Sequence, residues 1–313
     1  MKMLQAIPLV ESGAADAFSL TQAELAVACA SHGGEPRHAE AVAGWLSRLG
    51  LSADDLECGA HAPSHGPSAQ HAPWGGSALH NNCSGKHAGM LTLAKHLGVE
   101  TEGYIRPDHP VQRVISEALS AMMQVTPLPA PAVDGCGIPT FAVPLKNLAQ
   151  AMARFANPEG LGPVRSRACR RLATTMVEHP GMVAGEGRPC TLMMEALPDV
   201  VVKTGAEGVY TAAWPARGLG PERGLGIALK VEDGATRASS VALIALLECL
   251  GAVDATARER LRDVATPTLR NHADTVVGRI EPEPDWPSLP ADKKTSAKKS
   301  RHTPEVLAAF RFH

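Results

Sequence analysis

Eight consecutive residues, His80-Asn81-Asn82-Cys83-Ser84-Gly85-Lys86-His87, bring together a thiol, a hydroxyl, an amine, two imidazoles and two carboxamides. The apolar stretch that follows, with Met90, Leu91, Leu93, Ala94 and Leu97, has the 3, 4, 7 spacing of a buried helix face. The run is therefore expected where a loop enters a helix, with free backbone N–H groups pointing at it. Such a place suits an anionic ligand or a developing oxyanion. A second thiol, Cys136, lies in Val133-Asp134-Gly135-Cys136-Gly137-Ile138-Pro139, where flanking glycines bare the backbone. Two thiolates with a nitrogen or oxygen donor could hold zinc and leave a fourth position open. A lysine ligand such as Lys86 must be neutral, against an ordinary pKa near ~10.4. Two buried, inert cysteines account for the same residues, since no CxxC or HxxxH pattern is present.

Nucleophile chemistry has its own candidates. Ser31 follows a helical stretch and precedes Gly33 and Gly34, so its hydroxyl could be approached closely, although a serine capping a helix end reads the same way. Lys203-Thr204-Gly205 ends an apolar strand, the tripeptide that penicillin-recognising enzymes carry on a strand beside the active site. Alone it arises by chance. Half-neutralising a lysine at pH 7 to serve as base takes roughly 4.6 kcal/mol, which burial or a neighbouring cation supplies. The usual companion, Ser-x-x-Lys, occurs only at Ser296 to Lys299 in a basic tail, which argues against a β-lactam-recognising enzyme. Phosphate-loop and dinucleotide patterns fail: Gly85-Lys86 lacks the glycine five residues earlier, and Gly218-Leu219-Gly220 opens no helix.

The elements that must position these groups alternate between helix and strand. Thr21-Gln22-Ala23-Glu24 is a capping box opening a helix to about Ala30. Further helices are expected over 38–49, 86–97, 110–124, 144–156, 161–178 and 237–251. Strands are expected only at 200–203, 209–214 and 225–231, with a Gly/Pro-rich turn at 215–224. Residues 59–79 read as one long loop. The pattern predicts an α/β (α+β) protein with helices packed around a modest sheet. The chain has 313 residues, 44% hydrophobic and 20% charged, with a net charge of -2. That balance gives no case for nucleic acid or an acidic membrane surface, and no apolar run approaches the ~20 residues of a membrane span. Seven cysteines without repeated spacing, and no signal-like start before Glu11 and Asp16, predict a cytoplasmic protein with free thiols. Residues 1–281 are read as one catalytic domain. The Pro/Lys-rich segment 282–313 is read as a disordered tail.

Five blocks in order carry a resemblance: Leu4 to Ala14, Ala30-Ser31-His32, Asn81 to Gly89, Asp134-Gly135-Cys136-Gly137 and Gly205 to Tyr210. Together they resemble the asparaginase II family of L-asparaginases, the rhizobial class 3 type, over about residues 1–280. The resemblance implies a serine β-lactamase-like fold with a mainly antiparallel sheet, a homodimer, and hydrolysis of L-asparagine to aspartate and ammonia. It implies zinc held by Cys83, Lys86 and Cys136, with Asp134 beside them, and a zinc role in orienting substrate. Ser31 and Lys203 match one Ser–Lys pair, and Lys2 matches the lysine of a second. His32, Asn82, Ser84, Gly205 and Glu207 are the expected substrate-binding positions. The serine partner of Lys2 would lie two positions before Met1, and Met3 stands where the family has proline, so the chain reads as N-terminally shortened. The alternative is a catalytically silent zinc-binding fragment of the family, lacking that serine.

Overall fold

The computed structural model describes residues 1–63, 76–215, 224–284, 286–287 and 306–312. Three short helices open it, α1 (Lys2–Gln5), α2 (Ile7–Glu11) and α3 (Ala14–Ala17), the last entered through Gly13 at φ 88°. They escape the periodicity because four or five residues span no full amphipathic repeat. The expected capping box is present on α4 (Gln22–Ala28): Thr21 Oγ1 accepts from the Glu24 N–H at 3.2 Å and Glu24 Oε2 accepts from the Thr21 N–H at 2.9 Å. Helix α5 spans Pro36–Arg48.

Helix α6 (Ser84–Leu97) lies at the centre of this helical layer. Every residue from Ser84 to Ala94 is buried, so the helix is enclosed on all sides where only one buried face was expected. Its neighbour α4 approaches so closely that a Cβ on Gly85 would sit 2.3 Å from the Val27 carbonyl oxygen. Thr92 Oγ1, bonded back to the Ala88 carbonyl, accepts from the Trp45 indole at 2.9 Å and locks α5 to the same core.

Helices α7 (Pro110–Met123), α8 (Leu145–Ala156), α9 (Pro163–Glu178) and α12 (Thr236–Cys249) fall close to their expected spans. Short helices α10 (Pro180–Val183), α11 (Pro189–Ala196), α13 (Ala255–Arg260) and α14 (Arg262–Ala265) were not anticipated. A two-stranded pair, β1 (Ala132–Val133) and β2 (Pro139–Thr140), brackets Cys136.

The main sheet runs β3 (Val201–Thr204), β4 (Val209–Trp214), β5 (Leu225–Val231), β8 (Val306–Phe312), antiparallel except for the parallel β5–β8 pair. Consecutive buried residues along β4 and β5 point to opposite faces, so helices cover both, with α8 and α12 packed on these strands. The mixed helical and antiparallel-sheet architecture agrees with the expected class. An outlying hairpin joins β6 (Thr268–Arg270) and β7 (Val276–Arg279).

Two expectations change. Residues 306–312, read as part of a disordered tail, form β8 by backbone pairing with β5, a contact between distant segments that local composition does not encode. Strands are also more numerous than the three expected. Residues 64–75 of the long loop and 216–223 of the Gly/Pro-rich turn lie outside the described residues. Among the described residues no helix is long and apolar enough to cross a membrane.

Two glycines test the packing. Gly85→Ala should destabilise the chain by about 1–3 kcal/mol, because backbone rather than a flexible side chain meets the new methyl. Gly44→Ala, exposed within α5 with nothing near its added Cβ, should instead stabilise by about 0.5–1 kcal/mol. Urea midpoints of the two variants should move in opposite directions.

Candidate active site

The segment after α4 carries the expected nucleophile. Ser31 is only partly buried, and its Oγ lies 2.7 Å from Lys203 Nζ. The same amine donates to the Thr204 carbonyl at 2.7 Å. Lys203 sits on β3, where Thr211 on β4 fixes its backbone by donating to the Lys203 carbonyl at 3.1 Å. Burial, reinforced by the Lys2 and Arg188 charges, lowers the Lys203 pKa to about 7. An amine at that value is a competent base near neutrality. The backbone of Ser31 is fully engaged: its N–H donates to the Val183 carbonyl at 3.0 Å, and its carbonyl accepts from Arg188 Nη1 at 2.8 Å.

The second lysine, Lys2 on α1, donates to the carbonyls of Ala30 at 2.5 Å and Asn82 at 3.1 Å. Among the described residues these bonds reach no serine hydroxyl. Burial pulls its pKa down, and the Lys86 charge adds to this against the opposing pull of Cys83.

The two distant thiols do meet. Cys83 caps α6 at its N-terminus, and Lys86, less than one turn on, places Nζ 2.9 Å from Cys136 Sγ and 3.7 Å from Asp134 Oδ2. The Cys136 thiol bonds to Cys83; with Lys2 and Lys86 close by, this holds Cys83 as a thiolate, its pKa lowered to about 4. Cys136 keeps its proton, pushed up by the same bond and by burial. Burial pulls Lys86 down, but Cys83, Cys136 and Asp134 together outweigh it and raise its pKa.

Why the Asp-Gly-Cys-Gly turn has that sequence is visible locally. Asp134 Oδ1 accepts from the Cys136 N–H at 2.8 Å, and Gly137 takes φ 88°, which a side chain would resist. Asp134 thus shapes the turn as well as facing Lys86. Among the described residues no cluster of three His, Cys, Asp or Glu side chains could hold a metal. The donor set here is two sulfurs with an amine, a chemistry that fits zinc.

The expected substrate-binding positions divide into two groups. His32 and Ser84 are buried. Gly34 N–H donates to His32 Nδ1 at 3.1 Å, so Nε2 carries the proton and donates to Ser84 Oγ at 3.0 Å, which donates on to the Leu79 carbonyl. Burial, then the neighbouring His38, keeps His32 neutral, and the two rings stack 4.7 Å apart. Both imidazole nitrogens are spent inside the protein, so His32 braces the Ser31 segment against α6. Asn82 is half-buried, its carboxamide 3.0 Å from Cys83 Sγ. Gly205 and Glu207 are exposed in the β3–β4 turn, where Glu207 takes φ 54°.

Some groups at the site left no mark in the spacing. Arg188 precedes a helix-opening proline like many surface arginines, and Tyr104 stands far from every block. Tyr104 accepts from the Glu57 N–H at 2.9 Å and donates to His87 Nδ1 at 2.6 Å. His87 Nε2 is buried with no partner among the described residues.

A family model for L-asparaginase II matches residues 1–282. The chain belongs to that family, and membership points to an asparaginase-type hydrolase. No curated protein sequence matches it.

Tyr104→Phe should cost about 1–3 kcal/mol in urea unfolding, because it strands the Glu57 N–H and His87 Nδ1 in a buried place. An unchanged midpoint would mean that water reaches both groups.

Proposed function

We infer that this chain hydrolyses the side-chain amide of L-asparagine, with Ser31 as nucleophile and Lys203 as its base. The observation that carries the reading is the 2.7 Å approach of Lys203 Nζ to Ser31 Oγ, with the amine pKa near 7. In the neutral amine the lone pair faces the hydroxyl while an N–H remains on the Thr204 carbonyl. Ser31 Oγ attacks the amide carbon as its proton passes to Lys203 Nζ. The resulting ammonium protonates the departing nitrogen, so ammonia leaves and an acyl-enzyme remains. A water molecule, deprotonated by the same amine, then releases aspartate. Lys2, poised on carbonyls of both the Ser31 and Cys83 segments, contributes positive charge where the amide oxygen becomes anionic.

Cys83, Lys86 and Cys136 are the residues proposed to hold zinc, with Asp134 beside them. Bound there, zinc would orient the substrate. Binding requires Lys86 and Cys136 to give up protons. The serine β-lactamase-like arrangement belongs to the same reading. It is supported by Lys203-Thr204-Gly205 at the edge of an antiparallel sheet, facing a serine on a helical layer.

Ammonia release from L-asparagine tests the hydrolysis. Ser31→Ala and Lys203→Met should each lower kcat/KM by about 100-fold or more, and mass spectrometry of quenched turnovers should find the acyl group on Ser31. Since neutral Lys203 is the active form, kcat/KM should climb with pH and level off above about 7. A Ser31→Ala variant of full activity, or unaltered zinc-loaded protein that releases no ammonia, sinks the reading.

Zinc is tested separately by elemental analysis. The chain should retain about one ion after dialysis, and the double variant Cys83→Ala, Cys136→Ala should retain none. Equal zinc content in both proteins would place the ion elsewhere.

A further inference from the structure

Arg188 stands beside the serine–lysine pair with a permanent charge and no carboxylate bonded to it among the described residues. Both of its bonds leave from one nitrogen: Nη1 donates to the carbonyls of Ser31 at 2.8 Å and Ala184 at 3.1 Å. A guanidinium has five N–H donors, so Nε and Nη2 stay available, and that edge is the fork that grips a carboxylate in two parallel bonds. Glu35, whose carboxylate and the Arg188 side chain both lie against Gly185, is engaged elsewhere. Its Oε2 accepts from Arg37 Nε at 2.6 Å and its Oε1 from the Glu186 N–H at 2.8 Å. Arg188 is also only partly buried, so a small molecule can reach it.

The guanidinium is held rigidly relative to the nucleophile. The Ser31 and Gly33 N–H groups donate to the Val183 and Ala184 carbonyls at 3.0 and 2.9 Å. Thr191 Oγ1, buried on α11, donates to the Gly185 carbonyl at 2.5 Å and lies 3.1 Å from the Pro180 carbonyl oxygen. Segments 31–35 and 180–191 are therefore stitched into one unit. Arg188 Nη1 thus holds the carbonyl oxygen of the same residue whose hydroxyl is the proposed nucleophile. In L-asparagine three bonds separate the reacting carbonyl carbon from the carboxylate carbon, about 4 Å.

We propose that Arg188 receives the α-carboxylate of the substrate, so that the site selects the free amino acid over an asparagine side chain within a peptide. The inference rests on the asparagine-hydrolase reading above and names the group that would set its substrate class. Lys2 and Arg188 place positive charge in this pocket, which favours a carboxylate-bearing zwitterion over its cationic α-amide. A purely architectural Arg188, serving only to hold Ser31 and Ala184, is the competing account.

Equilibrium binding separates the two without relying on turnover. Calorimetry on the full chain carrying Ser31→Ala compares L-asparagine with its α-amide, at a pH where both α-amines are protonated. L-Asparagine should bind roughly 10- to 100-fold more tightly, the span expected for a charge-assisted bidentate contact. Adding Arg188→Gln should abolish that preference by weakening asparagine alone, while Arg188→Lys should keep part of it. Equal affinity for the two ligands, equal weakening of both by Arg188→Gln, or no binding of either overturns the proposal. If Arg188→Gln does not fold, the preference of the Arg188-bearing protein and its partial survival in Arg188→Lys decide the matter. Absence of ammonia release by the unaltered chain would count against hydrolysis alone, and the binding comparison would still decide Arg188.

Discussion

Three lysine amines share one poorly solvated pocket, and the arrangement around them follows from what burying an ammonium costs. The protein meets that cost in three ways. Lys86 keeps its proton because the Cys83 thiolate, Cys136 and Asp134 surround it. Lys2 is cradled by two backbone carbonyls, whose dipoles offset part of its desolvation. Lys203 has no anion in contact and two cations nearby, so its pKa falls to near neutrality. That difference separates an amine held charged from one that titrates near neutrality. A carboxylate placed beside Lys203 would have produced an inert salt bridge.

Holding these amines apart and in order requires segments distant in sequence to meet closely. The contact of α4 with α6 at Gly85 brings the chain after α4 alongside Cys83, which is why Lys2 can touch Ala30 and Asn82 at once. The β1–β2 turn delivers Cys136 to the amine of Lys86, its shape set by the Asp134 carboxylate. The β3–β4 ladder delivers Lys203 to Ser31 across 172 residues. None of these meetings is local, and the α4–α6 approach leaves no room even for a methyl group on Gly85.

This division explains what the sequence could and could not disclose. The α4 capping box, the long helices and the three strands of the main sheet are local patterns, legible in periodicity and caps. The Ser31, Lys203, Cys83, Lys86 and Cys136 set stood out by residue type. Their convergence, however, depends on contacts that spacing alone cannot encode. Strand β8 pairs with a segment far upstream, and its proline- and lysine-rich approach reads as solvated chain. Arg188 and Tyr104 were invisible for a different reason. An arginine before a proline and an isolated tyrosine are common, and only their partners, the Ser31 carbonyl and His87, give them a place at the site. His32 shows the reverse case, a conspicuous histidine whose nitrogens are both committed to bracing.

The Ser31 hydroxyl is not spent on the end of α4. A serine satisfying the end of a helix would spend its hydroxyl on an orphan carbonyl. Here the terminal carbonyls Ala26 and Val27 already accept from the Cys29 and Ala30 N–H groups, and the Ala30 carbonyl accepts from Lys2. The main chain of Ser31 is bonded on both sides, to Val183 and Arg188, leaving the hydroxyl free for Lys203. Because the Ser31 N–H is consumed, it is not available to stabilise an oxyanion, unlike the arrangement in which a nucleophile's own N–H does so. Negative charge formed on an attacked carbonyl must then be met by other donors and by the positive field of Lys2 and its neighbours. In the proposed mechanism, the cluster of amines that lowers the Lys203 pKa therefore also makes the pocket receptive to the anion that base would help to form.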